Sequence, residues 1–323
     1  MKVLIIKMGA LGDVIMSTPL IRRIMEHHVD ASIWLLTSPG FIPLFQGWPR
    51  LSIQSFPRKG ALAMLQTLVW LRSNRFDRMY DLQSSERTAM LCALSGIPER
   101  TGNHPGLAYT MHPHDLYTGQ YHAQERLNQI LVSAGVAPCY DPPYLPISDD
   151  AKARVCQWLK SNGLADRRFV LMHAGASSKH PQKRWPYFLE LAQELKTYGL
   201  DTLWLGGKDD ETINTSLSAH TGINTSGIFN VQEEAELGRH ARFAVTNDSA
   251  PMHILSCSDI PVFGLFGPTN WRRTHAIGQQ ANIIVTDADT NANLPPAIKP
   301  DLRQIPVSQV MEKLNASGLL KHT

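Results

Sequence analysis

The chain alternates short apolar runs with longer amphipathic stretches. In the first half the runs VLII (3–6), SIWLLT (32–37), SIQSF (52–56) and RMYDLQ (78–83) have the length and residue types of strands. Apolar residues recur at helical spacing near 13–28, 59–73 and 84–94, and again near 120–135. Strands and helices in this order build a parallel sheet covered on both faces. APCYDPPYLPIS (137–148) then carries four prolines in 12 residues and reads as a linker. Beyond it the alternation restarts. Strands are predicted at FVLMHAG (169–175), TLWLGG (202–207), FAVTND (243–248), VFGLFG (262–267) and ANIIV (281–285). Helices are predicted near 149–162, 186–198, 208–219, 231–240 and 249–257. A last amphipathic stretch, VSQVMEKLNASGLL (307–320), predicts a terminal helix that can pack back on the first domain. The expectation is an α/β protein of two doubly wound domains, 1–148 and 149–323, with a cleft between them. Ligands of such sheets sit at the carboxyl ends of the strands.

Length agrees: 323 residues suit two domains of roughly 150 each. Apolar residues make up 43 %, enough for two cores, and a net charge of +3 is too small to argue for nucleic acid. The charge is uneven. Residues 1–100 hold 12 Lys/Arg against 7 Asp/Glu, a balance of +5, and residues 101–150 hold 1 against 5, a balance of −4. The basic segment suits an anionic partner, or is simply a solvated surface. Cys92, Cys139, Cys156 and Cys257 form no C-x-x-C pair and no zinc spacing, which predicts free thiols in a reducing compartment. The N-terminus lacks the features of a signal peptide, and no run approaches the roughly 18 apolar residues of a membrane span. A cytoplasmic monomer is the default expectation, with contact at a membrane surface left open.

Five segments carry candidate chemistry. KMGALGD (7–13) leaves a strand and opens a helix; Gly9 and Gly12 allow a tight turn that exposes amides to an anion. It is neither a dinucleotide fingerprint, since the third glycine is missing, nor a P-loop, since no Gly-Lys-Ser/Thr follows. Asp13 is either a helix cap or a general base. HAGASSKHPQKRWP (173–186) leaves a strand with small residues and adds Lys179, Lys183 and Arg184, which suits a diphosphate or a solvated loop. In LGGKDDE (205–211), Asp209, Asp210 and Glu211 either accept ribose hydroxyls or populate a first helical turn. In TNDSAPMH (246–253), Ser249 and Ala250 leave first-turn amides open to a phosphate, Asp248 either binds a sugar hydroxyl or positions a neighbour, and His253 reads as a core histidine. FGPTNWRR (266–273) ends a strand in a Gly-Pro turn, with Thr269, Arg272 and Arg273 either as candidates for phosphate or base contacts or as parts of an ordinary turn with exposed arginines.

In this order and spacing, IKMGALGDVIMSTP, KRWP, NDSAPMH and GPTNWRR closely resemble glycosyltransferase family 9, the ADP-heptose–lipopolysaccharide heptosyltransferases of Gram-negative bacteria. The resemblance runs from residue 1 to about 305. It implies a GT-B fold, with the acceptor held mainly by the first domain, around Gly9, Ala10 and Gly12, and ADP-heptose by the second. It implies an inverting transfer that needs no metal and no cofactor beyond the donor. Asp13 matches the family's proposed base and Lys183 the lysine at the donor phosphates. Asp248 matches the aspartate of the donor loop, and Ser249 and Ala250 the small residues at the diphosphate. The acids at 209–211 match the region that holds the adenosine ribose; Ser177 and Thr269 fall in the donor loops. The sequence departs from the pattern at Asn270-Trp271, where Asp-Pro is common, and in the detail of 173–186. A transferase using another nucleotide sugar, a nucleotide-sugar epimerase and a catalytically silent nucleotide-sugar binding protein are the competing readings.

Overall fold

The computed structural model describes residues 1–57, 59–115, 121–164, 168–177, 179–286 and 301–320. Gln120 at the start of the predicted fourth helix and Ser178 within 173–186 lie outside the described residues. The chain divides into two compact units, Met1–Pro146 and Ile147–Thr323.

The first unit is a five-stranded parallel sheet. Its strands are β1 (Lys2–Ile6), β2 (Ser32–Thr37), β3 (Leu51–Ser55), β4 (Arg78–Asp81) and β5 (Glu99–Thr101), in the order β3-β2-β1-β4-β5. Val3 to Ile6 are fully buried, as expected of a central strand covered on both faces. The helices are α1 (Leu11–His27), α2 (Ala61–Asn74), α3 (Glu86–Ser95) and α4 (Ala123–Ser133). Pro19 lies inside α1. It cannot donate to the Ile15 carbonyl, and the Thr18 hydroxyl donates to that oxygen instead, at 2.7 Å. The proline-rich segment is not a free linker. Asn128 on α4 clasps Cys139 through both its amide atoms, at 2.8 and 2.9 Å, which keeps the segment on the first unit.

The second unit is a six-stranded parallel sheet of β6 (Phe169–His173), β7 (Asp201–Trp204), β8 (Ile223–Asn224), β9 (Ala244–Asn247), β10 (Val262–Phe266) and β11 (Ile283–Val285). The order is β11-β10-β9-β6-β7-β8. Its helices are α5 (Asp149–Ser161), α6 (Phe188–Thr197), α7 (Glu211–Ser218), α8 (Val231–His240), α9 (Ala250–Leu255), α10 (Trp271–Thr274) and α11 (Val307–Ala316). The apolar face of α11, through Val310, Met311 and Leu314, is buried in the core that also contains Phe188 and Leu195 of α6. The last helix thus packs on the core of its own unit.

In both sheets the strand order reverses beside the first strand of the unit: between β1 and β4, and between β6 and β9. The loops that leave these strands diverge to opposite sides of the sheet and leave a crevice, the place where doubly wound sheets hold ligands. Two strands were not visible as apolar runs. β5 reads Glu-Arg-Thr and β8 reads Ile-Asn; both are short edge strands whose outer side needs no apolar residues. All four cysteines are free thiols. Among the described residues no helix is long and apolar enough to cross a membrane.

Candidate active site

In the first unit, the crevice is formed by the loop after β1 and the loop after β4. Gly9 has φ +133°, a conformation that side chains other than glycine's rarely adopt. The Met8 amide donates to Gln83 Oε1 at 2.9 Å, and the Ser38 hydroxyl donates to the Met8 carbonyl at 2.8 Å, so the loops after β4 and β2 both hold the turn. Asp13 Oδ2 accepts the Ala10 N–H at 3.1 Å, the reach-back half of a capping box. Asp13 therefore does cap the helix, yet it remains partly exposed. A pocket of about 340 Å³ opens here, lined by Met8, Gly9, Ala10, Gln83, Ser85 and Arg87.

Two buried charges shape that crevice from below. Lys7 Nζ donates to the Leu82 carbonyl at 3.1 Å, and burial pulls its pKa down against the attraction of Asp13 and Asp81. Asp81, fully buried, accepts the Gln83 and Ser84 amides, both at 3.0 Å, and the Tyr109 hydroxyl at 2.6 Å. Burial raises its pKa in spite of these bonds. Asp81 thus shapes the 82–85 turn, a role that its place at the end of an apolar strand did not reveal.

In the second unit, the crevice lies between the loop after β6 and the loop after β9. Asn247 ties the two together: its amide donates to the Ala174 and Gly175 carbonyls at 3.0 Å, and its oxygen accepts the Trp185 N–H at 3.0 Å. Lys183 Nζ then lies 2.8 Å from Asp248 Oδ2. The Thr274 hydroxyl approaches the other Asp248 oxygen at 3.5 Å. Ser249 and Ala250 begin α9, whose first amides have no partner within the helix. Ser249 does not cap that helix with its side chain; its hydroxyl lies 3.0 Å from His173 Nδ1. Thr269, after β10, has a buried hydroxyl with no hydrogen-bond partner among the described residues, an atom that a ligand group would satisfy. Ser177 is exposed at the outer part of the loop.

The three acids at 209–211 separate. Asp209 is exposed. Glu211 accepts from Asn224 Nδ2 at 3.0 Å and from the Thr215 hydroxyl at 3.3 Å. Asp210 turns inward: Oδ2 accepts the Gly207 amide at 3.1 Å and lies 3.5 Å from His173 Nε2. Burial works against its charge, but the hydrogen bond from His173, the Gly207 amide and the Arg184 guanidinium outweigh it and hold the carboxyl below its usual range. Arg272 stacks on Trp271, with its guanidinium carbon 4.3 Å from the ring centroid, and Asn270 caps α10 by accepting the Arg272 amide at 3.1 Å. His253 is buried in α9. His173, Asn247 and Thr274 were not singled out from the sequence. Two of them are the last residues of strands, where the pattern registers only burial.

Two parallel sheets, each carrying its anion-suited loops at the point of strand reversal, define an α/β protein of the GT-B class. Residues 64–295 match the model of glycosyltransferase family 9 (heptosyltransferase), and the chain belongs to that family. It is a glycosyltransferase. The chain is 26 % identical over 314 residues to lipopolysaccharide heptosyltransferase 2 of Escherichia coli strain K12, covering 88 % of each chain. Among solved structures it resembles a family 9 glycosyltransferase from Veillonella parvula, with a TM-score of 0.82, 21 % identity and coverage of 99 % and 97 %. It also resembles the E. coli ADP-heptose heptosyltransferase II, with a TM-score of 0.76, 23 % identity and coverage of 99 % and 98 %.

Proposed function

We propose that this glycosyltransferase moves a heptose from ADP-heptose to the inner core of lipopolysaccharide, with inversion at the anomeric carbon and without a metal. The observation that carries the reading is the Lys183–Asp248 pair, 2.8 Å apart at the strand reversal of the second unit and beside the open amides of Ser249 and Ala250. Donor transfer needs a positive environment for the diphosphate as it departs. An ammonium and a helix start provide one without a metal. Asp248 is suited to a hydroxyl of the donor sugar, Ser177 and Thr269 to the donor phosphates or base, and Asp209 and Glu211 to the ribose. In the first unit Asp13 is the base. It takes the proton of the acceptor hydroxyl as that oxygen bonds to the anomeric carbon and the bond to the diphosphate breaks. Gly9, Ala10 and Gly12 let the acceptor approach the backbone beside it. These roles follow from chemistry and from the family pattern, and each can be tested separately.

Contact with a membrane surface has its own support. Leu62, Leu65 and Val69 on α2 and Met90 and Leu94 on α3 are 45–67 % exposed. Exposed Lys59, Arg72 and Arg75 flank them. An apolar strip with a basic rim suits a bilayer containing anionic lipid. The deciding experiment incubates the protein with ADP-, UDP- and GDP-sugars and truncated core acceptors, with and without EDTA, and weighs the product. A heptose added from ADP-heptose, undiminished by EDTA, is expected. Preference for UDP or GDP, an altered donor formed without acceptor, or loss with EDTA would each overturn the corresponding part.

A further inference from the structure

Asp210, His173 and Ser249 form a continuous line of polar contacts across the second unit's crevice. His173 ends β6 and is 4 % exposed. Its Nε2 faces Asp210 Oδ2 at 3.5 Å and its Nδ1 faces Ser249 Oγ at 3.0 Å. An ionised carboxylate only accepts, so the ring nitrogen facing it carries the proton. In the neutral ring Nδ1 then keeps its lone pair, and the Ser249 hydroxyl donates to it. Asp210 has little freedom to turn elsewhere. A Cβ on Gly175 would lie 1.9 Å from Asp210 Oδ1, and one on Gly206 would lie 2.5 Å from Asp210 Cβ. The carboxylate therefore fills space that exists because both positions are glycine. Ser249 adds a second sign. It stands at the N-cap of α9, where a serine ordinarily accepts from the helix amides, and it makes no such bond. Its hydroxyl faces His173 Nδ1 at 3.0 Å and the Asn247 carbonyl at 3.2 Å instead, so it is turned inward as a donor.

We propose that Asp210 and His173 are positioning residues that turn the Ser249 hydroxyl toward the imidazole. The serine oxygen then meets the ligand as an acceptor and selects a hydroxyl of the bound sugar nucleotide, not a phosphate oxygen. The phosphates are left to the amides of α9 and to Lys183. The identity of the ligand rests on the function proposed above; the hydrogen-bond order does not.

Two measurements test it. Long-range ¹H–¹⁵N spectra of histidine-labelled protein should show His173 as the Nε2–H tautomer, with Nδ1 still unprotonated after ADP or ADP-heptose is added. Asp210→Ala should abolish that preference. An Nδ1–H tautomer, a preference that survives Asp210→Ala, or protonation of Nδ1 when ligand binds would overturn the proposal, the last by freeing Ser249 to donate to phosphate. In kinetics, Ser249→Ala and His173→Ala should each raise the KM for ADP-heptose by roughly tenfold, the scale of one neutral hydrogen bond. The double variant should be no worse than either single one. His173→Asn, which can place an amide oxygen near the Nδ1 position, should recover much of the loss. Additive effects would show that His173 acts other than through Ser249 and would sink the assignment. Parallel titration with ADP alone locates the hydroxyl: weaker ADP binding in Ser249→Ala puts it on the ribose, and unchanged ADP binding puts it on the sugar. If the protein binds no sugar nucleotide, the functional reading fails, while the tautomer still decides the hydrogen-bond order.

Discussion

Lys183 Nζ lies 2.8 Å from Asp248 Oδ2, with the Asp248 carbonyl 3.5 Å from the same nitrogen. The two residues come from loops on opposite sides of the strand reversal, and Asp248 is the more buried partner. The aspartate thus holds the ammonium beside the start of α9 instead of leaving it to sample solvent. Lys183→Ala removes the cation and strands a largely buried carboxylate. Transfer should fall roughly 10²–10³-fold with weaker donor binding, since one preorganised donor of charge stabilisation is lost. Steady-state rates together with ADP calorimetry check this; unchanged rate and affinity would remove Lys183 from the donor site.

Asp13 has two jobs that one substitution can separate. As a cap it accepts the Ala10 amide at 3.1 Å. Asp13→Asn keeps an acceptor for that amide but cannot take a proton at neutral pH. Its melting temperature should stay near that of the parent, while transfer falls by roughly 10²–10⁴-fold and ADP affinity is unchanged. Asp13→Ala should lose the same activity and also about 0.5–2 kcal/mol of stability. Full activity in Asp13→Asn would leave the residue as a cap alone.

Glu234, in the first turn of α8, is pushed by burial and by the charge of Asp210 to a pKa of about 8, from an ordinary value of 4.5. The folded state keeps a proton that the unfolded chain has already released. Between about pH 4.5 and 8 stability therefore falls as pH rises, and above that window the Glu234 contribution is flat. Glu234→Gln imitates the protonated acid. Parent and variant should melt alike at pH 4 and diverge with rising pH, the variant being more stable at pH 9. Equal melting at pH 9 would contradict the shift.

The apolar strip on α2 and α3 predicts a change in partitioning and none in chemistry. Leu65→Glu with Val69→Glu should abolish co-sedimentation with vesicles containing phosphatidylglycerol. Activity on a detergent-free, truncated acceptor should persist. Binding of the parent to neutral and anionic vesicles alike would remove the basic rim from the account, and no binding at all would remove the membrane contact.

How much of this was legible beforehand depended on which physical signal each feature leaves. β2 spans the residues its apolar run suggested, and α8 begins and ends where its pattern did, because periodic burial writes itself into the chain. β5 and β8 left no such mark, being short and at or near a sheet edge. Lys183 and Asp248 stood out as chemistry in small-residue loops, and the structure brings them together. Asp209, Asp210 and Glu211 looked equivalent as neighbours in one acidic turn. Only folding assigns Asp210 to His173, Glu211 to Asn224 and Asp209 to solvent.

Residue order along the chain already carried the class of fold, the division into two α/β units and the family. Those rest on local quantities: apolar periodicity, glycines and prolines at strand ends, and the spacing of motifs. Tertiary structure decided the order of the strands, and with it which loops share a crevice. It decided that Asp81 shapes a turn from beneath, and that His173 links an acid 37 residues away to a serine 76 residues away. Such partnerships depend on crossovers between strands that are distant in the chain. No local propensity encodes the choice, because it is made by which packing of helices on the sheet buries the most apolar surface while pairing every buried polar group it can.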